Sequence, residues 1–234
     1  MNYDLRIRKG EVLGDLPDLD RILTAEERDE VLDEMQVRSY RKNEPIYREG
    51  DKPSHLLCLI AGKVKIYKDG VGGRAQIVRV VNAVEYFGYR AAFSDGNYVT
   101  AAAAFEPSVI ASIPIGLVRR LILRNPQLGW FFIRRLAVAL GNSDARTVGL
   151  TQKHIRGRLA EGILLLKESY GTEEDERTLN VYPSREDMAN LSNMTTSNAI
   201  RTLSVFVQEG LIALDGRKIK ILDEPALQKI SRMG

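Results

Sequence analysis

Between Met194 and Gln208, residues Ser197, Arg201, Ser204 and Gln208 recur at i, i+4, i+7 and i+11, so a helix carries them on one face. The chemistry they offer is short-range hydrogen bonding plus one long cation. At the start of a helix Thr196, Ser197 and Asn198 are small enough to meet base edges in a major groove, and Arg201 can donate two hydrogen bonds to guanine O6 and N7. Ala199, Leu203, Phe206 and Val207 form a second, apolar stripe that is expected to pack on a core. Catalysis has little to work with. His55 and His154 are the only histidines, Cys58 is the only cysteine, and the chain has no glycine-rich phosphate loop, HExxH, GxSxG or zinc-spaced cluster. These residues point to non-covalent recognition, and an enzyme is not expected.

The surrounding elements are suited to presenting that face. In "YPSREDMANLSNMTTSNAIRTL", Ser184 caps a short helix that turns Met188 and Leu191 inward, Ser192 and Asn193 make a turn, and Thr195 caps the second helix. Gly210 stops that helix. Beyond it, "LIAL" and "RKIKIL" flank Asp215-Gly216, a hairpin signal of type I′. A helix-turn-helix followed by a small hairpin is the outline of a winged DNA-binding module. Thr195, Arg217 and Lys218 are placed for phosphates, which position a protein without reading sequence. Net charge adds little: 34 basic residues face 31 acidic ones, for +3 overall. A basic footprint must come from spatial arrangement or from doubling in a dimer.

At 234 residues and 44% hydrophobic composition the chain can bury a substantial core. One cysteine precludes an intrachain disulfide framework and fits a reducing compartment. The opening "MNYDLRIRKGEVLGDLPDLD" has no apolar signal region, and the longest apolar stretch, Val99 to Val118, is interrupted by Glu106, Pro107 and Pro114. A cytoplasmic location without membrane partners is expected.

Leu19 to Met35 has helical spacing, with Thr24 and Glu27 as a capping box. From Val37 onward short β-rich runs are punctuated by Gly50, Gly62, Gly70, Gly72 and Gly73, the texture of a small barrel or roll, closed by a strand pair "YVTAAAAF" and "SVIASIP". Helices return after Gly116. Between Pro126 and Leu150, the residues Ile133, Leu136, Leu140, Ser143, Thr147 and Leu150 are spaced 3, 4, 3, 4, 3, a heptad seam with a polar middle that predicts self-association as a homodimer, with packing on the chain's own domain as the alternative. "GTEEDERT" reads as a charged surface turn.

The order of "IYREGD", "LIAGKVKIY", "EYFGYRAAF" and the helix-turn-helix resembles the Crp/Fnr family of bacterial transcription regulators over nearly the whole chain. The resemblance implies an α+β fold in three parts. These are a cyclic-nucleotide-binding-type β-roll with flanking helices (1–125), a dimerisation helix (126–150) and a winged helix-turn-helix (151–234). It also implies a ligand- or signal-responsive regulator, with RNA polymerase as a partner if it activates. Where the family's recognition helix usually has an Arg-Glu pair followed four residues later by Arg, this chain has Thr196, Ser197 and Arg201. Ser197 lacks the carboxylate that accepts a hydrogen bond from cytosine N4, so a different operator is expected.

The resemblance places the ligand site at Gly88-Tyr89, Val99-Thr100 and, on the long helix, Ala139 and Leu140. Tyr89 stands where a carboxylate is expected and Val99 where an arginine is, and burial of Val99 and the alanine run "TAAAAF" should make the pocket smaller or more apolar. Arg90 offers a substitute cation, with a solvent-facing side chain as its alternative. Cyclic AMP is therefore disfavoured as the effector, whose identity the sequence leaves unknown. An iron–sulfur cluster is disfavoured by the lone Cys58. Haem on His55 or His154 is the weaker sensor alternative. A ligand-binding regulatory subunit that acts through a protein partner without DNA is the other.

Overall fold

Strand parity and helix capping account for most of the architecture of this chain, whose computed structural model describes residues 9–14 and 16–233. Most of the charged stretch that opens the sequence, residues 1–8, lies outside them. The chain divides into two compact units, Met1–Lys68 with Arg79–Leu140 and Asp69–Val78 with Gly141–Gly234.

The first unit opens on helices α1 (Lys9–Gly14), α2 (Pro17–Ile22) and α3 (Ala25–Glu34). The capping box at α3 forms as expected: Glu27 N–H donates to Thr24 Oγ1 at 3.3 Å, and Thr24 N–H donates to Glu27 Oε2 at 3.0 Å. Strands β1 (Gln36–Tyr40), β2 (Pro45–Tyr47), β3 (His55–Ala61), β4 (Val64–Asp69), β5 (Ala75–Val81) and β6 (Tyr86–Phe87) follow. A five-residue helix α4 (Tyr89–Phe93) precedes β7 (Ala101–Ala104) and β8 (Ser108–Pro114). They form two four-stranded sheets, ordered β1-β8-β3-β6 and β2-β7-β4-β5. The stretches "YVTAAAAF" and "SVIASIP" are not partners of each other. β7 pairs with β2 and β4, whereas β8 pairs with β1 and β3, so the turn between them carries the chain from one sheet to the other.

Successive side chains of β3 point to opposite faces and so serve two cores. Leu57 and Leu59 join an inner cluster with Tyr47, Phe87, Tyr98 and Ile110. Leu56 and Cys58 face a helix-side cluster with Leu19, Val31, Leu117, Leu128 and Phe132, the last four supplied by α3, by α5 (Ile115–Arg124) and by the start of α6 (Pro126–Gln152). Gly62, between β3 and β4, has φ of 92°, and a Cβ there would lie 2.4 Å from the Pro107 carbonyl oxygen. Only glycine fits this sharp corner.

The long α6 runs from the first unit into the second, where α7 (Ile155–Tyr170), α8 (Arg185–Leu191), α9 (Thr196–Gln208), β9 (Ile212–Asp215), β10 (Lys218–Ile221) and α10 (Glu224–Met233) follow. Leu159, Ile163 and Leu166 on α7 are fully buried, together with Met188, Leu203, Phe206 and Leu227. The charged stretch after α7 is more ordered than a surface turn. Bridges Thr172 to Leu179 and Thr178 to Lys220 lay it along the β9–β10 hairpin. No helix among the described residues is long and apolar enough to cross a membrane.

Candidate nucleic-acid interface

Helix α8 starts at a capping box formed by Ser184 and Asp187, each backbone N–H donating to the other's side chain at 3.0 Å. The helix ends at Leu191, and Asn193 takes the turn at φ of 50°, a left-handed conformation that Asn tolerates. Met194 is buried, and Thr195 caps α9 by accepting the Asn198 N–H at 3.3 Å. Ala199, Leu203 and Phe206 face the core as expected. Val207 does not: it is 40% exposed, and Thr202 is buried in its place, because the packed stripe is rotated toward Thr202.

The outward face of α9 carries Thr196, Ser197, Arg201, Ser204 and Gln208, all exposed, with Asn198 half-buried at its edge. Arg201 forms no hydrogen bond or ion pair among the described residues and is available to a partner. Ser204 Oγ donates to the Ile200 carbonyl at 3.0 Å and is turned back on its own helix. Ile200, which sequence inspection passes over, is 47% exposed on this face. Its signal was present in the sequence: a β-branched apolar residue three positions after Ser197 and next to Arg201.

The hairpin differs from the expected turn. Asp215 pairs with Lys218, so the two-residue loop is Gly216-Arg217, and Gly216 alone has positive φ, at 55°. That is the pattern of a type II′ turn, not type I′. Arg217 therefore sits exposed at the tip. Arg185, at the first turn of α8, donates from Nη2 to the Gly216 carbonyl at 2.8 Å and ties the wing to the helix-turn-helix.

Lys218 is less available than its sequence position implies. Its Nζ lies 2.9 Å from Glu173 and 5.4 Å from the centre of the Tyr182 ring, while Lys220 pairs with Asp175 at 3.1 Å. The stretch after α7 thus straps two carboxylates onto the wing. Hydrogen bonds from Tyr182 and Lys218 hold Glu173 below the usual carboxylate range. Backbone and hydroxyl donors of Thr178, then the Arg177 N–H, do the same for Asp175. Glu209, at the end of α9, is held by Arg156 through two hydrogen bonds of 2.9 and 2.7 Å and cannot oppose a phosphate freely.

Within the same unit, Arg146 Nη2 donates to the carbonyls of Ile77 at 2.7 Å and Leu191 at 2.9 Å. Leu191 ends α8, so this contact fixes the entry to the helix-turn-helix turn. Gly162 on α7 closes the turn from the other side, since a Cβ there would sit 2.7 Å from Ser192 Oγ.

The expected ligand residues are dispersed. Gly88 has φ of 80° and caps α4. Tyr89 points away from the roll interior into the helix-side core, with its ring 5.2 Å from Phe132 and 5.5 Å from Phe93. Arg90 is exposed. Val99 is 64% exposed, contrary to its expected burial, and its carbonyl accepts a hydrogen bond from Lys68 at 2.9 Å. The inward neighbour is Tyr98. It stacks on Tyr47 with ring centroids 3.8 Å apart, and the two fill the interior together with Phe87. Burial pushes the Tyr47 hydroxyl pKa up, partly offset by the nearby Thr100 hydroxyl. Ala139 is half-buried on α6 and Leu140 is 65% exposed.

Cys58 is fully buried, and desolvation pushes its thiol pKa well up, which makes it an inert packing residue. His55 Nδ1 is 2.8 Å from Ser54 Oγ, and His154 is exposed at the N-cap of α7. Among the described residues no three His, Cys, Asp or Glu side chains gather as a metal site.

On α6 the seam residues divide. Leu136 packs against the helix-side core and Leu150 is half-buried, whereas Ile133 and Leu140 are exposed. Ser143 and Thr147 are exposed, with Thr147 Oγ1 bonded to the Ser143 carbonyl at 2.9 Å. The row left open to solvent in the first unit is Trp130, Ile133, Ala137 and Leu140, at spacings 3, 4, 3.

Comparison with known proteins matches two stretches of the chain. Residues 37–125 match the cyclic nucleotide-binding domain, and residues 157–230 match the Crp-like helix-turn-helix domain. The CRP-like cAMP-activated global transcriptional regulator of Mycobacterium tuberculosis is 24% identical over 85% of this chain and 89% of its own. The Cyclic AMP receptor protein of Thermus thermophilus is 25% identical over 89% of this chain and 94% of its own. The fold is shared with FixK2 from Bradyrhizobium japonicum, with a TM-score of 0.74, 22% identity, and 84% and 96% of the two chains covered. A cyclic-nucleotide-binding-type roll joined to a Crp-like winged helix-turn-helix defines a class of DNA-binding transcription regulators. This chain belongs to the Crp/Fnr family of that class, whose members are regulators and not enzymes.

Proposed function

We propose that this Crp/Fnr regulator binds a two-fold-related duplex site as a homodimer and does so without cyclic AMP as its effector. The observation that carries the base-reading role is the exposed, unpaired Arg201 on α9, in line with Thr196 and Ser197. A guanidinium at that position can take guanine O6 and N7 in the major groove, with the shorter side chains close to neighbouring bases. Thr195 and Arg217 take phosphates. Lys218 contributes less, since Glu173 already pairs with it.

The exposed row Trp130, Ile133, Ala137 and Leu140 supports two-fold assembly through α6, because it repeats at heptad spacing. Two copies of α9 then meet half-sites about one helical turn apart. The packed rings of Tyr47 and Tyr98, and an uncharged valine side chain at position 99, support a roll that leaves cyclic AMP unbound. The protein acts in the cytoplasm, with RNA polymerase as a further partner where it activates.

The test is fluorescence anisotropy with a duplex selected from random sequence by the full-length protein. Arg201→Ala should cost about 1–3 kcal/mol on the selected site and much less on random duplex. Equal losses on both would remove the base-reading role. A weak response to every duplex, insensitive to salt, would favour instead a regulatory subunit that acts through a protein partner.

A further inference from the structure

On a face of α9 made of hydroxyls, an amide and a guanidinium, Ile200 is an apolar side chain left 47% exposed at the centre of the row. Thr196 and Ser197 lie one turn before it, Arg201 adjoins it, and Ser204 lies one turn after. Ser204 does not soften this environment, because its hydroxyl is directed at the Ile200 carbonyl. The described residues leave close to half of Ile200 uncovered, and a β-branched residue gains nothing for the helix over a polar one. Of the groups that base pairs present in the major groove, one is apolar, the C5-methyl of thymine.

We propose that Ile200 is a specificity-determining contact for thymine, packing on its C5-methyl beside the guanine taken by Arg201. The inference rests on the reading of α9 as the groove-facing helix and adds a second base to it. The Cα atoms of Ile200 and Arg201 are about 3.8 Å apart, close to the roughly 3.4 Å spacing of base pairs. The thymine therefore lies within one or two base steps of the guanine. Neither base needs a carboxylate at position 197.

Deoxyuridine differs from thymidine only by that methyl and leaves base pairing intact, so it isolates the contact. In the duplex selected by the full-length protein, each thymine is replaced in turn by deoxyuridine, and dissociation constants are read by anisotropy. For the wild type, one thymine per half-site should cost about fourfold when its methyl is removed, the worth of one buried methyl-sized group. Ile200→Ala should bind the thymine and deoxyuridine duplexes equally while keeping its dependence on the guanine, and its thermal melt should match the wild type because the side chain is exposed. The inference is overturned if no deoxyuridine weakens wild-type binding, or if the same one weakens Ile200→Ala equally. Failure of the underlying reading looks different. The full-length protein would then select no duplex over random sequence, and this inference would fall with it.

Discussion

Tyr98 lies flat on Tyr47, with ring centroids 3.8 Å apart and an interplanar angle of 14°, in the space between the two sheets of the roll. The Tyr98 backbone is pinned on both sides, its N–H donating to the Asp51 carbonyl at 2.9 Å and its carbonyl accepting from Gly50 at 2.8 Å. The pair is a built part of the core, so a planar ligand has to displace it.

Calorimetry with cyclic AMP should accordingly show no binding tighter than about 100 μM, or about −5.5 kcal/mol. Tyr98→Ala should lower unfolding stability by about 3 kcal/mol through the cavity it leaves. Urea denaturation measures the loss. A micromolar constant for the wild type, abolished by changing Arg90 or Thr100, would show a phosphate site rebuilt from other residues.

Leu136 and Leu140 are one helical turn apart on α6 and should behave oppositely. Leu140 is exposed, so Leu140→Glu should yield a monomer by light scattering, with a melting temperature changed only by the loss of assembly. Leu136 packs on the helix-side core, so Leu136→Ala should cost about 2 kcal/mol of fold stability and leave the dimer present.

Arg217 at the wing tip is free of intrachain partners among the described residues. Arg217→Ala should weaken selected and random duplexes alike and reduce the slope of log K against log salt by about 1 per protomer. Anisotropy titrations at several salt concentrations read both effects. A loss confined to the selected sequence would make Arg217 a base contact.

The Asp175 carboxylate accepts from Thr178 N–H at 2.7 Å, Thr178 Oγ1 at 2.8 Å and Arg177 N–H at 3.0 Å. Its folded pKa is depressed, so its contribution is complete above the unfolded value near 3.9 and is lost as pH falls through the folded one. The gap in melting temperature between wild type and Asp175→Asn should be widest above about pH 5 and should close on acidification. A gap unchanged between pH 7 and pH 2 would show that the strap gains nothing from the ionised form.

The order of elements was legible because each is encoded locally, by the boxes at Thr24 and Ser184, the β-branched runs after Val37 and the helical period of α9. What the sequence left open depends on distant partners. The rows through Leu136 and through Ala137 both satisfy 3–4 spacing, and only packing on the roll decides which is covered. Tyr98 and Val99 have opposite parity, and the inward one is settled by pairing across Asp51 and Gly50. The hairpin loop shifted by one residue because strand register, not the Asp-Gly pair, chose Gly216-Arg217. Lys218 appeared free because its carboxylate partner is 45 residues earlier in the chain.

That strap has a bearing on how the protein finds its target on a chromosome. Lysines that already hold an anion of their own add little to the attraction that any stretch of duplex exerts. On the function proposed above, such a wing shortens residence on random sequence and leaves fewer copies sequestered among the roughly 10⁶–10⁹ competing positions of a genome. On that same function, occupancy of the true site rests on the side chains that α9 exposes around Arg201.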